Sequence, residues 1–142
     1  MIKIVVLGEE ITIITKNKVG LMADVAMMLA AEGVNIEAAS AYEAGDTAQL
    51  LLVTNANLRI VGELKKKKYR SVKENEVIVV DLENKPGALK VVTTELKKKR
   101  IDIKYLYITS PGPAGNSSKM VLNTSDNEAA MALLSKYASE NI

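Results

Sequence analysis

A chain of 142 residues that is 48% hydrophobic and 25% charged has material for a real core, and its formal charge of +2 points to no particular partner. It contains neither Cys nor His, which excludes disulfides, thiolate catalysis, sulfur metal sites and the commonest general base near neutral pH. Phe and Trp are also missing, and with five Tyr the core must be built from aliphatic side chains.

Residues 2–7 and 11–15 are β-branched-rich runs around Gly8-Glu9-Glu10, which predicts two strands, or one long strand interrupted by a turn or bulge. The apolar start is too short for a membrane span and lacks the charged flank and cleavage pattern of a secretion signal, so a cytoplasmic protein is expected. From Gly20 the period becomes helical, with Met22, Val25 and Leu29 on one face, and Gly33 is placed to end the helix. Residues 34–42 read as extended, Gly45-Asp46 as a turn, 48–54 as a strand, and 55–68 as a helix with Leu58, Val61 and Leu64 inward. A short extended piece at 71–73 closes a β-α-β-β-α-β module.

The second module reads as strand 77–82, helix 87–99 with Leu89, Val92 and Leu96 on one face, strand 101–109, a Pro/Gly/Ser loop at 110–118, strand 119–123 and helix 127–137. Its last strand is lost or nearly so. Residues 2–7 are expected either to replace it in the second module's sheet or to extend the first's. The domains are thus 1–74 and 75–142, and the short connection 73–76 predicts that they pack as one rigid body. Apolar residues on both faces of 50–53 and of 103–108 predict that the helix-free face is also buried, against a second copy in a homodimer.

The two modules are copies. Laying residue 9 on 76 and holding the register to 41 on 108 gives eight identities in thirty-three pairs, among them Asn17/Asn84, Lys18/Lys85, Gly20/Gly87, Val25/Val92 and Leu29/Leu96. Asn17-Lys18-Val19-Gly20 and Asn84-Lys85-Pro86-Gly87 each join a strand to a helix, where unpaired backbone N–H groups can receive a carboxylate or another anion. Glycine allowing a tight turn, and Asn capping it, is the alternative reading of the same residues. Lys65 to Lys68 and Lys97 to Arg100 lie near helix ends and read as solvated faces that complement the helix dipole. No phosphate loop, zinc-ligand spacing, nucleophile elbow or paired carboxylate is present, so neither a metal nor any cofactor is expected, and no enzymatic activity.

The strand followed by Glu83-Asn84-Lys85-Pro86-Gly87-Ala88-Leu89, a helix and a β-branched restart resembles the ACT domain, a small-molecule regulatory module, and the first module fits as well. The resemblance implies an α+β chain of two ferredoxin-like modules with antiparallel sheets and helices on one face. It also implies an effector, an amino acid or related metabolite, held at an interface between such modules. Serine-sensing members carry His-Glu-Asn-Arg-Pro-Gly-Val-Leu and, after the helix, Gly-Val-Asn-Ile, which recurs here at Gly33-Val34-Asn35-Ile36. By this resemblance one loop supplies Asn17, Val19, Gly20 and Leu21, the other Asn84, Pro86, Gly87 and Ala88, while Asn35 and Asp102 reach the ligand from the neighbouring module. The family's leading His is Thr15 or Leu82 here, its Pro is Val19 in the first module, and its later Asn is Asp102 in the second. Two non-equivalent pockets are therefore expected: Asn84 with Asn35, closer to the family, and Asn17 with Asp102.

A free-standing regulatory protein is the reading these features favour, with an obligate regulatory subunit of a biosynthetic enzyme as the alternative. A nucleic-acid binder on the same fold would need strand aromatics for stacking, and no Phe is available. An acylphosphatase-like enzyme would need an arginine beside its anion loop, and Arg59, Arg70 and Arg100 are all remote from Gly20 and Gly87 in sequence.

Overall fold

The computed structural model describes residues 1–110, 112 and 115–139. Among them are six strands and four helices: β1 (Ile2–Lys16), α1 (Leu21–Ala31), β2 (Ile36–Ala44), β3 (Thr47–Thr54), α2 (Asn57–Lys65), β4 (Ser71–Glu83), α3 (Ala88–Lys98), β5 (Ile103–Thr109), β6 (Ser117–Thr124) and α4 (Asn127–Ser135). Of the expected loop 110–118, residues 111, 113 and 114 lie outside the described residues. No described helix is long and apolar enough to cross a membrane.

Two strands are longer than the sequence pattern implied. β1 runs unbroken through Gly8, because that glycine serves close packing and not a turn: a Cβ there would come within 3.3 Å of Val79 Cγ2. β4 runs through residues 73–76, which read as a connection because their side chains are polar and mostly exposed. Exposure of side chains does not stop a backbone from pairing.

The chain divides into two compact units, Glu9–Asn75 and Met1–Gly8 with Glu76–Ile142, so β1 and β4 each contribute residues to both. In the unit Glu9–Asn75 the strand order is β2-β3-β1-β4, with β3 antiparallel to both β1 and β2. Ile11 and Ile13 of β1 face Leu50 and Leu52 of β3, and on these pack Leu21, Val25 and Leu29 of α1 and Ile60 and Leu64 of α2. Both helices therefore cover the same face of the sheet. In the other unit the order is β1-β4-β6-β5, and Ile78, Val80, Met120 and Leu122 meet Ala88, Val92 and Leu96 of α3 and Ala130 and Leu134 of α4. Ile2 and Val5 belong to this second core, Glu83 N–H donates to Met1 O at 2.8 Å, and Ser139 N–H donates to Ile2 O at 3.0 Å.

The helices bury Val25, Leu29, Leu64, Val92 and Leu96 as periodicity put them, and differ at the other predicted positions. α1 and α3 bury positions at intervals of four, Leu21-Val25-Leu29 and Ala88-Val92-Leu96, while Leu89 is 37% exposed and Met22 only flanks the core. α2 buries Ile60 and Leu64 and leaves Leu58 82% exposed, because it begins at Asn57 and ends at Lys65, short of Lys68. Leu51, Val53 and Val121, on the face away from the helices, are 8% exposed or less within the single chain.

Each unit is locked by the same polar device. Thr54 N–H and Oγ1–H both donate to Asn57 Oδ1, and Asn57 Nδ2 donates to Glu9 O at 2.8 Å. Thr124 and Asn127 repeat this, with Asn127 Nδ2 donating to Glu76 O at 2.9 Å. The amide ties the end of one strand, the start of a helix and the middle of another strand, and it satisfies groups that burial would otherwise orphan. The helix ends repeat as well: Gly33 at φ +68° and Arg100 at φ +55° take the left-handed position after α1 and α3.

Candidate functional site: the two strand-to-helix loops

Gly20 and Gly87 cap α1 and α3 in the left-handed region, at φ +85° and +91°. A Cβ on Gly20 would meet nothing within 4 Å, so its requirement is conformational and not spatial. Each turn is closed by weak backbone bonds, Leu21 N–H to Lys18 O at 3.4 Å and Ala88 N–H to Lys85 O at 3.3 Å. Leu21 and Ala88 are themselves 5% and 6% exposed, so their side chains anchor the helix starts in the cores. Val19 and Pro86 stand at the loop tips in solvent.

The asparagines share a backbone role and differ in their side chains. Asn17 N–H donates to Asp46 O at 3.0 Å and Asn84 N–H to Asn116 O at 2.9 Å, each holding the loop to the facing hairpin. Asn17 is exposed, and its amide donates to the Glu43 carboxylate. Asn84 is half-buried: Nδ2 donates to Gly112 O and Gly115 O at 3.2 and 3.3 Å, while Oδ1 accepts from Ser110 Oγ and Ser118 Oγ at 3.0 and 3.3 Å. The strand registers explain the difference. Ile11 pairs with Leu52 and Ile78 with Leu122, a shift of sixty-seven on one strand and seventy on the other, so the β5–β6 hairpin carries three more residues and folds over Asn84.

Asn35 and Asp102 occupy equivalent places at the other end of each sheet. Asn35 N–H donates to Asn55 Oδ1 at 2.9 Å, and Asp102 N–H donates to Ser125 Oγ at 3.0 Å. Both residues are exposed. Eight residue steps along β2 separate Asn35 from Glu43, the partner of Asn17, a span of about 26 Å at the rise of a strand. Within a unit, then, the loop and the residue after the helix are not brought together.

Two cavities adjoin the loops. One of about 310 Å³ is lined by Asn84, Lys85, Gly87, Leu89, Ile108 and Ser110 among others. Another of about 470 Å³ lies beside the first loop, between Lys18, Leu21 and Asp24 on one side and Lys67, Lys68 and Tyr69 on the other. Burial, with the Asp24 charge adding to it, pushes the Tyr69 phenol above its ordinary range. Lys85 holds Glu83 below the usual carboxylate range, at 2.6 Å, and the Met1 ammonium lies 3.4 Å from the same side chain. The sequence pattern missed Glu43, Ser110, Ser118 and Tyr69; the only signal was topological, since a β-α-β-β order returns the hairpin to the end of the first strand.

No family model matches the sequence, and no curated protein matches it. Solved structures resemble it in fold. A crystal structure of a protein from Bacteroides thetaiotaomicron is similar at TM-score 0.84 and 23% identity, over 94% of this chain and 90% of that one. The ligand-free regulatory subunit of aspartate kinase from Thermus thermophilus is similar at TM-score 0.64 and 16% identity, over 96% and 97% of the two chains. That from Thermus flavus gives 0.61 and 14%, over 95% and 97%. The ferredoxin-like α+β fold of these regulatory subunits is the fold of this chain.

Proposed function

We propose that the chain is an ACT-type regulatory protein that binds an amino acid or a related small metabolite and has no catalytic activity of its own. The observation that carries this reading is the repeated loop: both units present a helix start behind a left-handed glycine, with an asparagine tied to the facing hairpin. Such a loop offers backbone N–H groups to a carboxylate and an amide beside them. Because Asn17 and Asn35 stand at opposite ends of a unit, as do Asn84 and Asp102, a ligand that needs both kinds of contact must lie between two such units. Ligation then fixes the geometry between units, and a change of that geometry is a signal a partner can read.

A second reading, an obligate regulatory subunit of a biosynthetic enzyme, is favoured by coverage. This chain and the aspartate kinase regulatory subunit of Thermus thermophilus match over nearly their whole lengths. The first reading is tested by thermal shift and calorimetry with the twenty amino acids, where stabilisation by one or a few is expected. No stabilisation by any of them sinks it. The second is tested by adding the chain to a candidate catalytic subunit and measuring whether its sensitivity to the effector changes.

A further inference from the structure

The cavity beside the first loop carries an excess of positive charge. Lys16 and Lys18 line it from the end of β1 and the loop, and Lys67 and Lys68 from the segment after α2. Asp24 is the one carboxylate among its described lining residues, and it lies 3.3 Å from Lys18 Nζ. α2 stops at Lys65 and Lys67 N–H turns back to Leu64 O at 3.1 Å, so Lys67 and Lys68, exposed as the basic run suggested, lie beyond the helix end. They line the cavity together with Tyr69 and Thr15.

The fold does not impose this arrangement. In the other unit the places of Lys16, Met28 and Lys67 are held by Glu83, Glu95 and Tyr137. There Tyr137 donates to Glu95 at 2.7 Å, Lys98 pairs with Glu95 at 3.0 Å, and Lys85 and the Met1 ammonium pair with Glu83. One unit balances its charges at this position, and the other sets four exposed lysines and one carboxylate around an open volume, where an entering anion meets net positive charge.

We infer that the cavity of the unit Glu9–Asn75 binds a small dianion, a phosphate monoester or a dicarboxylate, between Lys16, Lys18, Lys67 and Lys68. Its volume of about 470 Å³ suits a metabolite and not a macromolecule. The cavity shares Leu21 with the loop proposed for the effector, but neither Asn17 nor Asn84 lines it, so anion binding there is read separately from amino acid binding.

Two-dimensional NMR titration of the intact chain at low salt tests it, with inorganic phosphate and succinate as probes and glycerol as the neutral control. Saturable millimolar binding of either anion, with shifts at Thr15, Asp24 and Tyr69 and none from glycerol, is expected; phosphate alone points to a phosphate monoester and succinate alone to a dicarboxylate. Replacing Lys67 and Lys68 by Ala weakens that binding roughly tenfold or more, on the Coulomb scale of charges in contact in water. Lys97→Ala with Lys99→Ala, an equal loss of charge elsewhere, leaves it unchanged. No saturable binding of either anion overturns the inference, as does an equal weakening in both double variants, or tight binding of an oligonucleotide alone.

Discussion

Replacing each loop asparagine by alanine separates its structural role from its availability to a ligand. Asn84 makes four side-chain hydrogen bonds at 3.0–3.3 Å from a half-buried position. At about 0.5–1.5 kcal/mol net for each, Asn84→Ala costs roughly 2–6 kcal/mol. Asn17 is bonded through its side chain to the exposed Glu43, so Asn17→Ala costs below about 1 kcal/mol. Urea unfolding followed by far-ultraviolet circular dichroism measures both, from midpoint shifts at constant slope. The reasoning fails if Asn84→Ala is no more destabilising than Asn17→Ala. The same bonds set an order of affinity: freeing the Asn84 amide for a ligand breaks two contacts and costs roughly 1–3 kcal/mol, a factor of about 5–150 in affinity. The Asn17 loop is therefore expected to be the readier of the two.

Asn127→Ala, which removes the lock on Thr124 and Glu76, lowers stability by roughly 2–4 kcal/mol in the same assay, and Asn57→Ala acts similarly in its own unit. Gly20→Ala costs about 1 kcal/mol from its left-handed φ alone, whereas Arg100→Gly, at φ +55°, raises stability by about 0.5–1 kcal/mol; both are read from the unfolding midpoint. Hydrogen bonds from Tyr137 and then Lys98 hold Glu95 below the usual carboxylate range, so its contribution is present above the unfolded pKa and is lost as pH falls through the folded one. Tyr137→Phe should raise the Glu95 value in a carboxyl-detected NMR titration. Glu74 has the opposite sign: a hydrogen bond with Glu9, together with burial, raises it, so its charged form destabilises above the folded pKa and Glu74→Gln stabilises at neutral pH, seen as a higher melting temperature.

The sequence made much of this fold readable because the repeat disclosed it twice. Val25 and Leu29, and their equivalents Val92 and Leu96, announced the helices and their inward face. The first residue of each stripe did not follow, because whether a helix begins at Leu21 or Met22 is decided by the glycine's left-handed φ, which periodicity does not encode. Polar composition hid the continuity of β4 through Lys73-Glu74-Asn75-Glu76, since strand pairing uses the backbone and leaves exposed side chains free to be anything. The loop residues themselves were legible as a motif, but the partners of Asn84 come from a hairpin twenty-six to thirty-four residues downstream, at Ser110, Gly112, Gly115 and Ser118, and only the fold brings them there.

What distinguishes the two loops therefore lies outside them. Their backbones agree in the glycine conformation, the weak turn closure and the asparagine N–H bonded to the facing hairpin. The tight Gly45-Asp46 turn leaves the Asn17 amide reaching an exposed glutamate, and the longer β5–β6 connection saturates the Asn84 amide with two carbonyls and two hydroxyls. Ligand preference should accordingly follow hairpin length more than loop sequence. Shortening the β5–β6 hairpin by three residues, to the length of its counterpart, is expected to release Asn84 and bring the two loops toward equal affinity for whichever effector binds the first. Measured by calorimetry on the whole chain, an unchanged affinity at the Asn84 loop in a folded variant would show that the loop sequence, not the hairpin, sets the difference.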